Sequence, residues 1–421
     1  MGHSRSGSLR ARISVVIAVI LLVGCAPPYD TLVIPPPPQG VSIPVKSQLA
    51  LIVEGRVNGI TANILLDTGT ILTSLASPRS ITKFNLIGDG PNPFDGSERD
   101  DLGVCRAGGV IDFDPTLFVA ETVDLGGVVM GHVAFTVIHE TGFDTFAEAG
   151  VDFIMSAAAL MQVDWRVEDF GARLVILPAN ARPRPEGAVD LNVGGPFVPF
   201  SPLKVGVIAL RIRLADAAST SEVLLDTGGA MAIALGDEVL TTAGIEAASL
   251  AQIRTSILGA GASCETSILR LPKVDTGRTS VSGLPAILIP EGRQRALLGW
   301  QFLASHESIH VSTAGSWMEL TQGADTIAVL SEPLGTFGMA LMFKPEGAYD
   351  IRSVSDGLVA ARAGLIVGER IIRLNGIDVS TIEGKSELYG RRVHRDGGAE
   401  MLVEDASGAQ RTVFVESDTI L

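Results

Sequence analysis

The chain has 421 residues and a formal net charge of −15, long enough for two or three domains. That acidic balance excludes nucleic acid as a natural partner. Charged residues are few and apolar ones plentiful, the balance of an exported globular protein.

Residues 1–24 read as an export signal. Arg5, Arg10 and Arg12 form a charged start, and the apolar run from Ile13 to Val23 is too short to span a bilayer. The run closes on Leu22-Val23-Gly24-Cys25, which resembles the lipobox of bacterial lipoproteins. The resemblance implies that Cys25 carries a lipid after cleavage and anchors the chain to a membrane of the cell envelope. Ala26, not an acidic residue, follows the cysteine, and by resemblance to enterobacterial lipoproteins this favours the outer membrane facing the periplasm. Residues 25–44, with Ala26-Pro27-Pro28 and Pro35 to Pro38, read as a semi-rigid, proline-rich tether.

The next segment has the pattern of strands. Leu49 to Val53 alternates into Asn58-Gly59, a hairpin turn signal, and Thr61 to Leu66 returns toward Asp67. The return ends in Ile64-Leu65-Leu66-Asp67-Thr68-Gly69-Thr70, and a second stretch repeats it as Val223-Leu224-Leu225-Asp226-Thr227-Gly228-Gly229. A lone ionised carboxylate buried at the end of an apolar strand is costly, so it must be protonated or surrounded by donors. Two such sites suggest a pair. Asp-Thr-Gly alone can be an ordinary turn, and Asp275-Thr276-Gly277, which follows Lys273-Val274 without an apolar triplet, is read that way.

The two apolar stretches belong to a longer duplication. Cys105 follows Asp67 at the same interval as Cys264 follows Asp226. Further along, Ser156-Ala157-Ala158-Ala159-Leu160 corresponds to Gly299-Trp300-Gln301-Phe302-Leu303, and Leu160 to Leu177 is as long as Leu303 to Leu320. The repeat divides the chain into one lobe over residues 45–185 and another over residues 186–323, each mainly β with short helical stretches.

Apolar-apolar-Asp-Thr-Gly, a Gly-rich segment, and then an apolar-apolar-Gly stretch such as Leu297-Leu298-Gly299 resemble the aspartic peptidases, their bacterial retropepsin-like members in particular. The resemblance implies a bilobal β fold in which Asp67 and Asp226 meet as a catalytic dyad, with Thr68, Gly69, Thr70, Thr227, Gly228 and Gly229 supporting the two turns. Like charges a few ångströms apart cannot both ionise, so the pair holds one shared proton. The charged member takes a proton from water while the protonated one polarises the scissile carbonyl. Peptide or protein substrates are implied, with no cofactor and no metal, and one chain holds both halves, so a monomer suffices.

Three departures from the family pattern stand out. Thr70 supplies the hydroxyl that supports the first carboxylate, whereas Gly229 cannot, so asymmetric pKa values are expected. Ser156 stands where the family has Gly. Tyr29, Tyr349 and Tyr389 are the only tyrosines, so neither lobe has the pepsin-type flap Tyr. By resemblance to the retroviral enzymes, the flaps are expected at the Gly-rich stretches holding Gly103, Cys105, Gly108 and Gly109 in lobe one and Gly259, Gly261 and Cys264 in lobe two. If a pseudo-two-fold axis relates the lobes, Cys105 and Cys264 could pair as a disulfide in an oxidising compartment or remain as two packed thiols.

His306-Glu307-Ser308-Ile309-His310 matches the H-E-x-x-H pattern of zinc peptidases, which needs both imidazoles on one helical face. The repeat register sets this stretch against Val163 to Val167, in a strand pattern, where four residues span about 13 Å. A shared zinc is therefore not expected. His132, His139 and His394 form no cluster.

Beyond Gly323 the character changes. Phe337-Gly338-Met339, Ser353-Val354-Ser355-Asp356-Gly357-Leu358-Val359-Ala360 and the run from Ala363 through Asn375-Gly376 resemble a bacterial PDZ domain, placed over residues 324–421. The resemblance implies that backbone amides around Phe337, Gly338 and Met339 hold a peptide's terminal carboxylate while the strand through Ala340 and Leu341 pairs with the peptide. The combined expectation is an envelope-anchored aspartic endopeptidase with a peptide-binding PDZ domain. The alternative is a catalytically silent peptide-binding lipoprotein that keeps the fold.

Overall fold

The computed structural model describes residues 29–47, 50–70, 73–93, 113–138, 150–194, 206–259, 262–289, 296–331, 335–343, 348–380 and 397–419. Cys25 and the export signal lie outside the described residues, as do Gly103, Cys105, Gly108, Gly109 and Gly261. The pairing of Cys105 with Cys264 therefore also falls outside them.

Lobe one is built from β1 (Thr31–Ile34), β2 (Val41–Pro44), β3 (Ile52–Val57), β4 (Ile60–Asp67), β5 (Ser74–Ala76), helix α1 (Pro78–Lys83), β6 (Ile87–Pro91), β7 (Phe113–Leu125), β8 (Val128–Ile138), β9 (Phe153–Ser156) and helix α2 (Ala157–Leu160). Asn58 and Gly59 both take positive φ, at 49° and 80°, and turn β3 into β4 as the sequence predicts. The strands run β6-β7-β8-β5-β9-β4-β3, and β3 pairs again with β7, so the sheet closes on itself. Along β4 the side chains of Ile64 and Leu66 are fully buried. Burying a side chain of that size contributes about 1.5–3 kcal/mol.

The stretch read as a tether is partly structured, because β1 pairs with β8 and β2 with β11 (Arg173–Leu177). Ile43 drops into the core. As the outermost strand, β2 tolerates Pro44 because its free side needs no donor. Strand β10 (Asp164–Glu168) precedes β11 and pairs with it.

Lobe two repeats the order. It contains β12 (Val189–Gly194), β13 (Val207–Leu214), β14 (Ser221–Asp226), β15 (Ile233–Gly236), helix α3 (Asp237–Thr242), β16 (Gln252–Gly259), β17 (Ala262–Asp275), β18 (Ser280–Ile289), β19 (Ala296–Gly299) and helix α4 (Trp300–Ala304). The strands run β16-β17-β18-β15-β19-β14-β13 with β13 pairing β17, position for position the order of lobe one. The third Asp-Thr-Gly is the turn between β17 and β18, with Gly277 donating to the Asp275 carboxylate at 2.8 Å. Strands β20 (Ser308–Ser312) and β21 (Trp317–Thr321) are the counterparts of β10 and β11. These strands join the lobes, in the order β12-β21-β20-β10-β11-β2, with β20 pairing antiparallel to β10. One apolar core runs through both lobes and includes Trp165 and Trp300.

Helix α5 (Thr326–Ser331) packs on β18, and its Leu330 is fully buried in that same core. The remaining chain forms β22 (Gly335–Thr336), β23 (Met339–Phe343), β24 (Tyr349–Val354), helix α6 (Val359–Arg362), β25 (Arg370–Leu374), β26 (Ile377–Asp378), β27 (Gly398–Glu404), β28 (Gln410–Glu416) and β29 (Asp418–Thr419). Its main sheet has the order β23-β24-β25-β27-β28. This unit has a core of its own, built on Phe337, Met339, Tyr349, Ile351, Leu374 and Met401 among others. The structure is mainly β throughout.

Candidate active site

Strands β4 and β14 end on Asp67 and Asp226, and each lies parallel to the short strand that follows it in the repeat. Asp67 is in register with Ser156 on β9, and Asp226 with Gly299 on β19. Helices α2 and α4 start immediately after those partners. Their first amides, from Ala157 and Trp300, donate to the carbonyls of Thr70 and Gly229 at 3.1 and 2.8 Å. Both turns are thus clamped by the same device.

The two turns meet through their threonines. Thr68 Oγ1 donates to the Leu225 carbonyl at 2.7 Å and accepts the Thr227 amide at 3.2 Å. Thr227 Oγ1 donates to the Leu66 carbonyl and accepts the Thr68 amide at 3.1 Å. Both side chains are buried. Each hydroxyl therefore satisfies a donor and an acceptor of the opposite lobe, groups that would be costly to bury unpaired.

The glycines have a steric reason. A methyl group at Gly69 would stand 2.7 Å from the Asp226 carboxylate, and one at Gly228 would stand 2.6 Å from Asp67 Cγ. Each carboxylate lies over the glycine of the other turn. Only a residue without a side chain lets the acids approach so closely.

The donors around the acids are unequal. Asp67 accepts the Gly69 amide at 2.8 Å, the Thr70 amide at 3.3 Å and the Thr70 hydroxyl at 2.7 Å. Asp226, 8% exposed, accepts the Gly228 amide at 3.1 Å, and no hydroxyl follows its turn. Burial pushes the Asp226 pKa well above the usual carboxylate range, and the charge of Asp67 and a hydrogen bond with it push the same way. The amides of Gly228 and Gly229 pull in the other direction but do not win.

Sequence reasoning missed several residues of the site. Met231 lies where the missing hydroxyl would be, since a methyl at Gly229 would meet its sulfur at 2.6 Å and Asp226 Oδ2 at 2.5 Å. Gly206 packs on the start of α2, where a methyl would stand 2.2 Å from the Ala158 nitrogen. Ser74 Oγ accepts the Ser156 amide at 3.2 Å. No pattern in the sequence marks these three: Gly206 and Ser74 matter through contacts distant in sequence, and Met231, two residues past Gly229, belongs to no motif. The Gly-to-Ser departure also becomes intelligible. A methyl at Gly299 would stand 2.2 Å from the Met231 carbonyl, whereas lobe one accepts Ser156 fully buried, its hydroxyl without a partner.

The other singled-out residues lie elsewhere. Gly259 ends β16, and Cys264 stands opposite Ile257 in the backbone register of the β16–β17 hairpin. His306 follows helix α4, with Nδ1 2.9 Å from the Phe302 carbonyl and Nε2 3.0 Å from Thr279 Oγ1. His310 lies in β20 against the Trp317 ring, 4.9 Å between centroids. The two imidazoles occupy different elements and do not share a helical face. Burial lowers both pKa values to about 4. In the C-terminal unit Gly338 has φ of 69°, and a side chain there would collide with Leu358 at 2.4 Å. The Phe337 carbonyl accepts the Ala360 amide at 3.0 Å. Met339 and Ala340 on β23 are buried and Leu341 is partly buried.

Residues 211–302 match the family described as aspartyl protease. The matched stretch carries the Asp226 turn, the β16–β17 hairpin and the β19–α4 clamp. Among solved structures, a retropepsin-like aspartic protease from Rickettsia conorii is similar at 18% identity over 28% of this chain and 83% of that one, with a TM-score of 0.23. A serine endoprotease from Yersinia pestis aligns at 16% identity over 38% of this chain and 58% of that one, TM-score 0.20. The HtrA-type protease AlgW with decapeptide aligns at 12% identity over 52% and 73%, TM-score 0.21. Comparison with curated proteins gives no match.

Proposed function

We propose that the chain is an aspartic endopeptidase in which Asp67 and Asp226 act as one dyad, tethered to the cell envelope through a lipid on Cys25 and carrying a C-terminal PDZ domain for substrate or partner peptides. The observation that carries this reading is the reciprocal threonine pair, which brings two carboxylates of different lobes over each other's glycines.

The chemistry follows from the unequal donors. Thr70 and two amides donate to Asp67, and burial favours the proton on Asp226. Asp67 takes a proton from the attacking water as its oxygen bonds to the scissile carbonyl carbon. Asp226 gives its proton to the carbonyl oxygen, so the intermediate is neutral and no acyl-enzyme forms. The C–N bond then breaks as the nitrogen receives the proton held on Asp67, and Asp226 recovers its own from the collapsing diol. The two acids exchange roles within a turnover, and the pair titrates as a unit.

The test is cleavage of a denatured protein mixture from about pH 3 to about pH 7, beside Asp67→Asn and Asp226→Asn, because the dyad needs one proton. Activity should fall as pH rises through the raised Asp226 value and vanish in either variant. A folded chain that cleaves nothing across that range, yet binds peptides, would be the silent peptide-binding lipoprotein. Anchoring is tested separately, since Cys25→Ala should release the protein from membranes.

A further inference from the structure

Among the described residues, the sheet of the C-terminal unit ends on β23, whose only partner in the strand order is β24. Among the same residues, the sheet of lobe two ends on β16, whose only partner is β17. These two outer strands lie against each other, with Cα atoms within 8 Å. Paired strands lie about 4.8 Å apart, so a peptide strand placed between β23 and β16 would require about 9.6 Å between them. The present separation does not hold one.

The junction is anchored as well. Thr326 Oγ1 donates to the Ser305 carbonyl at 2.9 Å, Leu330 is buried in the core of the lobes, and Arg270 on β17 donates to the Ser331 carbonyl at 3.1 Å. Gly335 of β22 follows Ser331 after only three residues, a reach of at most about 14 Å. A short connection of this kind keeps the local concentration of β23 at the hairpin high.

We propose that β23 is covered by the β16–β17 hairpin of its own chain, so that the C-terminal unit restrains this hairpin and a peptide reaches β23 only when the hairpin withdraws. The inference rests on reading the hairpin as the flap of a peptidase and β23 as a peptide-binding edge. Peptide docking and flap release are then one equilibrium, and each must favour the other by the same factor.

The experiment is amide hydrogen exchange on the full-length chain in detergent, with one charge introduced on each of the two strands, Ile253→Glu on β16 and Leu341→Glu on β23. Ile253 is partly exposed, and its replacement leaves the core of the C-terminal unit intact. Exchange across residues 252–259 should rise about tenfold in both variants, with no change across β13 or β27, the fold controls. Cleavage of a denatured substrate should rise with it. Decapeptides with free apolar carboxyl termini, titrated by fluorescence polarisation, should bind Ile253→Glu about tenfold more tightly than the parent. Unchanged exchange in both variants overturns the restraint, even if every chain cleaves substrate. Equal peptide affinity for parent and variant, including none for either, overturns the coupling. Faster exchange with tighter peptide binding in chains that never cleave would keep the restraint and remove only the peptidase reading.

Discussion

The turn at Asp67 and the turn at Asp226 share a strand order, a threonine lock and a helix clamp, yet they hold their carboxylates differently. Three donors, one of them a hydroxyl, face Asp67. Asp226 lies deeper, with Gly229 and the Met231 thioether where its hydroxyl would be. Duplication therefore preserves the scaffold that brings the acids together while the immediate surroundings of the two differ. A single proton shared by two unequal sites has a preferred residence.

The largest expected effect tests whether the two turns form one machine. Asp67→Asn and Asp226→Asn should each lower the cleavage rate about 10²–10⁴-fold, and the double variant should lose little more. Additive losses, measured as initial rates on one fluorogenic peptide, would mean that the acids act separately.

The threonine lock should break symmetrically. Thr68→Ala and Thr227→Ala each leave one amide and one carbonyl of the opposite lobe buried without a partner. Each should cost about 2–4 kcal/mol in urea unfolding. A clear difference between the two would show that the lobes do not depend on each other equally.

Steric symmetry gives the next effect. Gly69→Ala pushes a methyl against Asp226 and Gly228→Ala pushes one against Asp67. Displacing a reacting group by about an ångström costs about 10²-fold in rate. Both variants should lose that much kcat while peptide binding to the C-terminal unit stays unchanged.

How much of this was legible in the sequence depended on whether the determinant was local or paired across the fold. The apolar approach to Asp67 and Asp226, the Asn58-Gly59 turn and the equal intervals of the repeat are local patterns, and the two closed sheets follow them strand for strand. The contrast with Asp275-Thr276-Gly277 was legible too, because the missing apolar triplet leaves that turn at the surface end of a hairpin. The placement of Met231 at Gly229, of Gly206 on α2 and of β16 against β23 was not legible. The last two depend on chain segments that meet only after folding, and Met231, two residues from Gly229, belongs to no motif. Residues 25–44 read as a semi-rigid spacer because of their prolines, yet β1 and β2 within them pair with β8 and β11. An outermost strand can accept proline, and position in a sheet is not written in composition.

The smallest effect separates the two acids by stability alone. The Asp226 pKa is raised above its unfolded value, so the proton it keeps in the folded state stabilises the protein fully below about pH 3.9. That contribution is lost as pH rises through the raised value, and near neutral pH the buried acid favours unfolding. Asp226→Asn has no proton to lose, so at neutral pH the variant should melt a few degrees above the parent, about 1 kcal/mol, and the gain should disappear on acidification. Asp67→Asn should gain less, since removing its charge also relieves Asp226 but replaces a carboxylate that accepts a hydroxyl and two amides with a weaker acceptor. Calorimetric scans of both variants at two pH values compare them directly. Equal behaviour of the two would remove the asymmetry on which the assignment of the proton to Asp226 depends, while a larger gain in Asp226→Asn would place the cost of holding the acids together on lobe two.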